Sequence, residues 1–106
     1  MPMTVVVTRD VEPRYRGFLA SVMLEIAPGV YTAPDMSKGV RERVWNVIHG
    51  WHQALGRGAI VMTWLDNSAA GRQGILCLGQ PPKALVDADG LLIVKRANTS
   101  IINTTF

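Results

Sequence analysis

Met3-Thr4-Val5-Val6-Val7-Thr8 is the stretch that decides the fold. β-branched residues dominate it, and such side chains suit a pleated strand. Its three consecutive valines say more. Side chains alternate between the faces of a strand, so Val5 and Val7 point one way and Val6 the other. Both faces of this strand are therefore apolar. Ile60-Val61-Met62 and Leu91-Leu92-Ile93-Val94 share the property. A strand covered by helices on one side only should alternate apolar with polar. The second apolar face needs cover of its own, which predicts a homodimer packed through the sheets.

Downstream, Arg9-Asp10-Val11-Glu12 reads as a loop, and Pro13 suits the first turn of a helix, where its missing N–H costs nothing. Tyr15, Phe18, Leu19, Val22, Met23 and Ile26 recur in steps of three and four, marking one helical face. Pro28-Gly29 makes a tight turn, and Val30-Tyr31-Thr32-Ala33 a short strand. Residues 24–27 read either as the end of the helix or as the strand that pairs across this turn. Ser37 caps a second helix, whose apolar set is Val40, Val44, Val47, Ile48, Trp51 and Leu55. Gly56 and Gly58 end it. Residues 59–66 and 73–79 form a hairpin around a turn at 67–71. Gln80-Pro81-Pro82-Lys83 is a loop, and residues 91–94 are a last strand after the turn Asp89-Gly90. The order predicts an α+β fold: a ferredoxin-like two-layer sandwich, with an antiparallel sheet and both helices on one face.

At 106 residues the chain has room for one domain, read as residues 1–97 with a C-terminal tail at 98–106 suited to partner binding or disorder. Apolar residues make up 48% and charged residues 18%, which is too apolar for a disordered chain. No uncharged stretch approaches the roughly 20 residues of a membrane span. The valine run is short and has no basic residue before it, unlike a secretory leader. No membrane partner is expected, and the cytoplasm is the expected compartment. Cys77 is the single cysteine, which excludes an intrachain disulfide and any multi-cysteine zinc site. Eleven Lys and Arg against eight Asp and Glu permit a nucleic-acid partner without requiring one.

Asp10 follows the first strand, a common place for a carboxylate that holds magnesium. It also reads as a loop aspartate favoured by a helix macrodipole. Arg14 and Arg16 lie in the first helical turn, where free N–H groups attract anions and basic side chains are unfavourable unless something negative arrives. Lys38 and Arg41 repeat the pattern one turn apart at the second helix. Phosphate contact is one reading. A solvated basic face, with Lys38 and Glu42 paired, is the other. His49 and His52 lack the acidic partner of a metal motif and read as a surface pair. Trp45, Trp51 and Trp64 sit within apolar segments and fit the core or an interface.

Several stretches together resemble a known family. They are Met3-Thr4-Val5-Val6-Val7-Thr8, Pro13-Arg14-Tyr15-Arg16-Gly17-Phe18-Leu19-Ala20 and Leu24-Glu25-Ile26-Ala27-Pro28-Gly29-Val30-Tyr31. Val44-Trp45, Ile60-Val61-Met62-Thr63-Trp64 and Val86-Asp87-Ala88-Asp89-Gly90-Leu91 belong with them. From residue 1 to about 97 the chain is similar to the smaller of the two universal CRISPR adaptation proteins, in its type I-E subgroup. The resemblance implies a ferredoxin-like homodimer that acts in spacer acquisition as a non-catalytic scaffold. The dimer would bridge two dimers of the CRISPR integrase, with the prespacer duplex DNA along its basic surface. Arg14, Arg16 and Lys38 match family positions that touch the DNA backbone. Lys83 falls where the family carries a basic pair, with Pro82 replacing one member. The C-terminal strands of the subgroup meet the integrase, which points here to Leu91, Leu92, Ile93 and Val94.

Other members of the family are metal-dependent endonucleases using an aspartate at the end of the first strand. This chain has Thr8 and Arg9 there, with Asp10 next. The alternative function is accordingly a Mg2+-dependent endonuclease on DNA or RNA, with Asp10 from each protomer as metal ligand and catalytic group. A third class is a small regulatory module binding a metabolite at its dimer interface, which the fold alone allows.

Overall fold

The computed structural model describes residues 3–79 in full and residues 84–88 and 91–95 as backbone. Five strands form one antiparallel sheet in the order β2-β3-β1-β4-β5: β1 (Thr4–Arg9), β2 (Leu24–Ala27), β3 (Val30–Ala33), β4 (Ala59–Leu65) and β5 (Gln73–Leu78). Helices α1 (Pro13–Val22) and α2 (Lys38–Leu55) connect β1 to β2 and β3 to β4. The expected α+β sandwich is therefore present, with β5 added outside β4 by a hairpin.

The core lies between helices and sheet. Val6, Tyr31, Ile60 and Met62 project from the strands to meet Tyr15, Leu19, Val44 and Ile48 from the helices, and all are buried. Trp45, Trp51 and Trp64 pack against this cluster, as their apolar context predicts. Trp51 meets Tyr15 and Phe18 edge-on at 5.4 and 5.5 Å, which joins α1 to α2.

The other sheet face carries the second apolar set. Val7 pairs with Val30 on one side and with Val61 on the other, and Val61 pairs with Cys77. This row runs across four strands. Val7 is 43% exposed and Val61 37%, so two strands that are apolar on both sides have one side open in the single chain.

The structure settles residues 24–27. Helix α1 stops at Val22, Met23 is already extended, and Leu24–Ala27 is a strand paired with β3. Ile26 continues the helical spacing but stands 58% exposed on that strand. Pairing across Pro28-Gly29 outweighs the three-four periodicity. Gly29 has φ +78, and a Cβ there would lie 2.8 Å from the Thr8 carbonyl oxygen. That close approach lets the Thr8 N–H and hydroxyl both donate to the Gly29 carbonyl, at 2.7 and 3.1 Å.

The last strand departs from expectation. β6 (Ala84–Ala88) was not legible as a strand, and it pairs with β7 (Leu91–Lys95) in a separate two-stranded sheet. The two lie beside the 3-10 turn Ala70–Arg72 that precedes β5. The physical reason is local. Only two residues separate Ala88 from Leu91, a spacing that favours hairpin pairing over insertion into a sheet whose β4 edge is already taken by β5. The tail at 98–106 lies outside the described residues.

Candidate nucleic-acid interface

The topology puts the two basic helix starts at opposite ends of the helix layer. Helix α1 follows the Arg9 end of β1, while α2 follows Ala33, which pairs with Thr4 at the other end of β1. A six-residue strand spans about 20 Å, so the Arg14–Arg16 pair and the Lys38–Arg41 pair are separated by roughly that length.

Each of the four is held differently. Lys38 is exposed at the first position of α2 and makes no hydrogen bond or ion pair among the described residues, the anticipated Glu42 included. The Ser37 hydroxyl caps this helix by accepting from the Val40 N–H at 3.2 Å. Neither helix has an acidic residue in its first turn, although Glu12 stands at the N-cap of α1. Arg14 is exposed and its guanidinium carbon lies 5.3 Å from the Trp51 ring centroid.

Arg16 is tied to the scaffold. One of its nitrogens is 3.4 Å from Glu25 Oε2, which also accepts from the Gly29 N–H at 3.0 Å. The Gly29 N–H first, and Arg16 after it, hold the Glu25 carboxyl below its usual range, while burial acts the other way. The Tyr31 hydroxyl and Glu25 in turn push the Arg16 guanidinium upward. The side chain of Arg16 is nonetheless 59% exposed, so its remaining donors face solvent. Arg41 is buried, with its guanidinium carbon 4.2 Å from the Trp64 ring centroid.

Asp10 stands just past β1 with φ +59, and its carboxylate lies 3.4 Å from Arg57 at the end of α2. Among the described residues no group of three or more His, Cys, Asp or Glu is placed to hold a metal. Among the described residues Asp10 thus has no cluster of further ligands around it and already faces a guanidinium, which is a poor fit to a hard cation that wants several oxygens. The histidines are engaged elsewhere. His52 Nε2 donates to the Gly58 carbonyl at 3.1 Å, and His49 contacts Gln53 at 3.5 Å. Burial raises the Cys77 thiol above its usual range, which suits a packing role.

Lys83 lies outside the described residues, and Leu91, Leu92, Ile93 and Val94 are described only as the backbone of β7. Three features escaped the sequence reading: the Arg41–Trp64 stack, the Arg16–Glu25 tie and the Asp10–Arg57 pair. Their partners are 23, 9 and 47 residues apart, and no local pattern joins them. Among the described residues no helix is long and apolar enough to cross a membrane.

These features are basic helix starts, an open apolar sheet face and a β6–β7 hairpin that forms a sheet of its own. The family model described as "CRISPR-associated protein (Cas_Cas2CT1978)" matches residues 3–93, which take in both helices and all five strands of the main sheet. The chain belongs to this CRISPR-associated family, and that membership supports a role in CRISPR adaptation.

Proposed function

We propose that this chain is the non-catalytic scaffold of a type I-E spacer-acquisition complex. It binds prespacer duplex DNA through the phosphate backbone and bridges two integrase dimers. The observation that carries the reading is the charge layout. Lys38 and Arg14 are exposed and free of ion pairs among the described residues, Arg16 keeps exposed donors, and no acidic residue occupies either first turn. Backbone contacts of this kind are strong, salt-dependent and tolerant of sequence.

The functional unit is a homodimer through the open sheet face, supported by the exposed row around Val7 and Val61. Lys83 adds a further backbone contact, and residues 91–94 meet the integrase. The duplex reading is tested by replacing Arg14, Arg16 and Lys38 with Glu. Loss of duplex binding with the dimer intact supports it, and unchanged binding overturns it. The endonuclease alternative would need Asp10 freed from Arg57 and joined by ligands from a second copy. No observation favours it over the scaffold.

A further inference from the structure

We infer that Arg41 is a pre-set phosphate contact of this surface and that Trp64 is the residue that positions it. The inference deepens the duplex-binding reading above and rests on it.

A buried arginine needs an explanation. Arg41 is only 9% exposed, yet among the described residues no oxygen accepts a hydrogen bond from its guanidinium. Burying a cation without a partner is costly. Here the cost is offset in part by the Trp64 ring, whose electron-rich face lies under the guanidinium at 4.2 Å. Asp66, a carboxylate that senses the Arg41 charge, does not complete the set. Asp66 feels the Arg41 charge only weakly, and its oxygen is taken by the N–H and hydroxyl of Ser68 at 3.0 and 2.6 Å.

The geometry fits a phosphate. A guanidinium lying over an indole ring keeps its N–H donors at its own edge, outside the ring contact. The ring contact therefore restrains the guanidinium and leaves its donors for a two-point contact with phosphate oxygens. Lys38 is three residues earlier on α2, so the two cations share one side of the helix near its positive end. The pair combines a mobile point charge with a fixed fork. The fork's rotamer freedom is lost on folding rather than on binding, which favours affinity.

Trp64 is itself held in place. It pairs in register with Thr4 on β1 and Gly74 on β5. A Cβ at Gly74 would collide with the indole ring, so the absence of a side chain there makes the room in which Trp64 lies. The order of support runs Gly74 to Trp64 to Arg41, across two strands and a helix.

The test is the salt dependence of duplex binding by the full chain, measured for the natural protein and for R41Q, W64F, W64L and K38Q. Each lost phosphate contact lowers the slope of log K against log salt by about 0.9. R41Q should lose that amount. W64L should fall toward the R41Q value, and W64F, which keeps an aromatic face, should stay near the natural protein. A merely structural role for Trp64 would lower melting temperature without moving the slope. A natural slope in R41Q alongside a reduced one in K38Q overturns the assignment of Arg41 and leaves the duplex reading standing. Natural slopes in both variants overturn the two together. If R41Q does not fold, equal slopes in W64F and W64L overturn the positioning role.

Discussion

Val7 and Val61 face each other across β1 and β4 on the side of the sheet that no helix covers. Their neighbours Val6, Ile60 and Met62 point into the helix layer and are buried. The alternation of a strand thus divides one apolar run into a core half and an open half. A charge on the open half should cost the fold little and the association much. V61K is expected to stay folded and to run as a monomer by light scattering after size exclusion. The natural protein should run as a dimer. A V61K dimer would move the association surface elsewhere.

Asp10 and Arg57 are both well exposed, so their pair is worth less than about 1 kcal/mol. D10N should therefore leave both stability and duplex binding near the natural values. EDTA should not weaken duplex binding either. Cleavage that EDTA stops and D10N removes would instead establish the endonuclease.

Gly74 leaves no room for a side chain beneath Trp64. Overpacking of this kind costs about 1–3 kcal/mol. G74A should lower the melting temperature by several degrees, and it should redshift and broaden tryptophan emission as Trp64 is displaced. A melting temperature equal to that of the natural protein would contradict the close packing described.

Glu25 provides the pH prediction. Its carboxyl is held below the usual 4.5, first by the Gly29 N–H and then by Arg16. A depressed folded-state value means that the unfolded chain binds the proton more readily, so stability rises with pH through this range. The contribution is complete above about pH 4.5 and is lost as pH falls through the lowered value. Melting temperature should drop on acidification below that point, and E25Q should drop less. An identical acid profile in E25Q would remove Glu25 from the account.

Much of the fold was legible because burial leaves periodic traces. The Val5–Val7 run announced a strand with two apolar faces, and Val40, Val44 and Ile48 announced the buried side of α2. Ile26 misled because a four-residue strand following a helix can continue its spacing by chance, and only pairing with β3 decides. β6 was missed for want of alternation in Ala84-Leu85-Val86-Asp87-Ala88. The basic residues were legible as types at helix starts, but their separation to opposite ends of the helix layer is a product of topology. The contact of Arg41 with Trp64 joins α2 to β4 across 23 residues, which no spacing in the sequence encodes.

The scaffold claim is tested most directly by assembly. The purified chain would be mixed with a type I-E CRISPR integrase from the same source and a short duplex, and the mass read by light scattering after size exclusion. The account predicts one complex with two integrase dimers per dimer of this chain. A lone dimer that binds neither the integrase nor the duplex would contradict it.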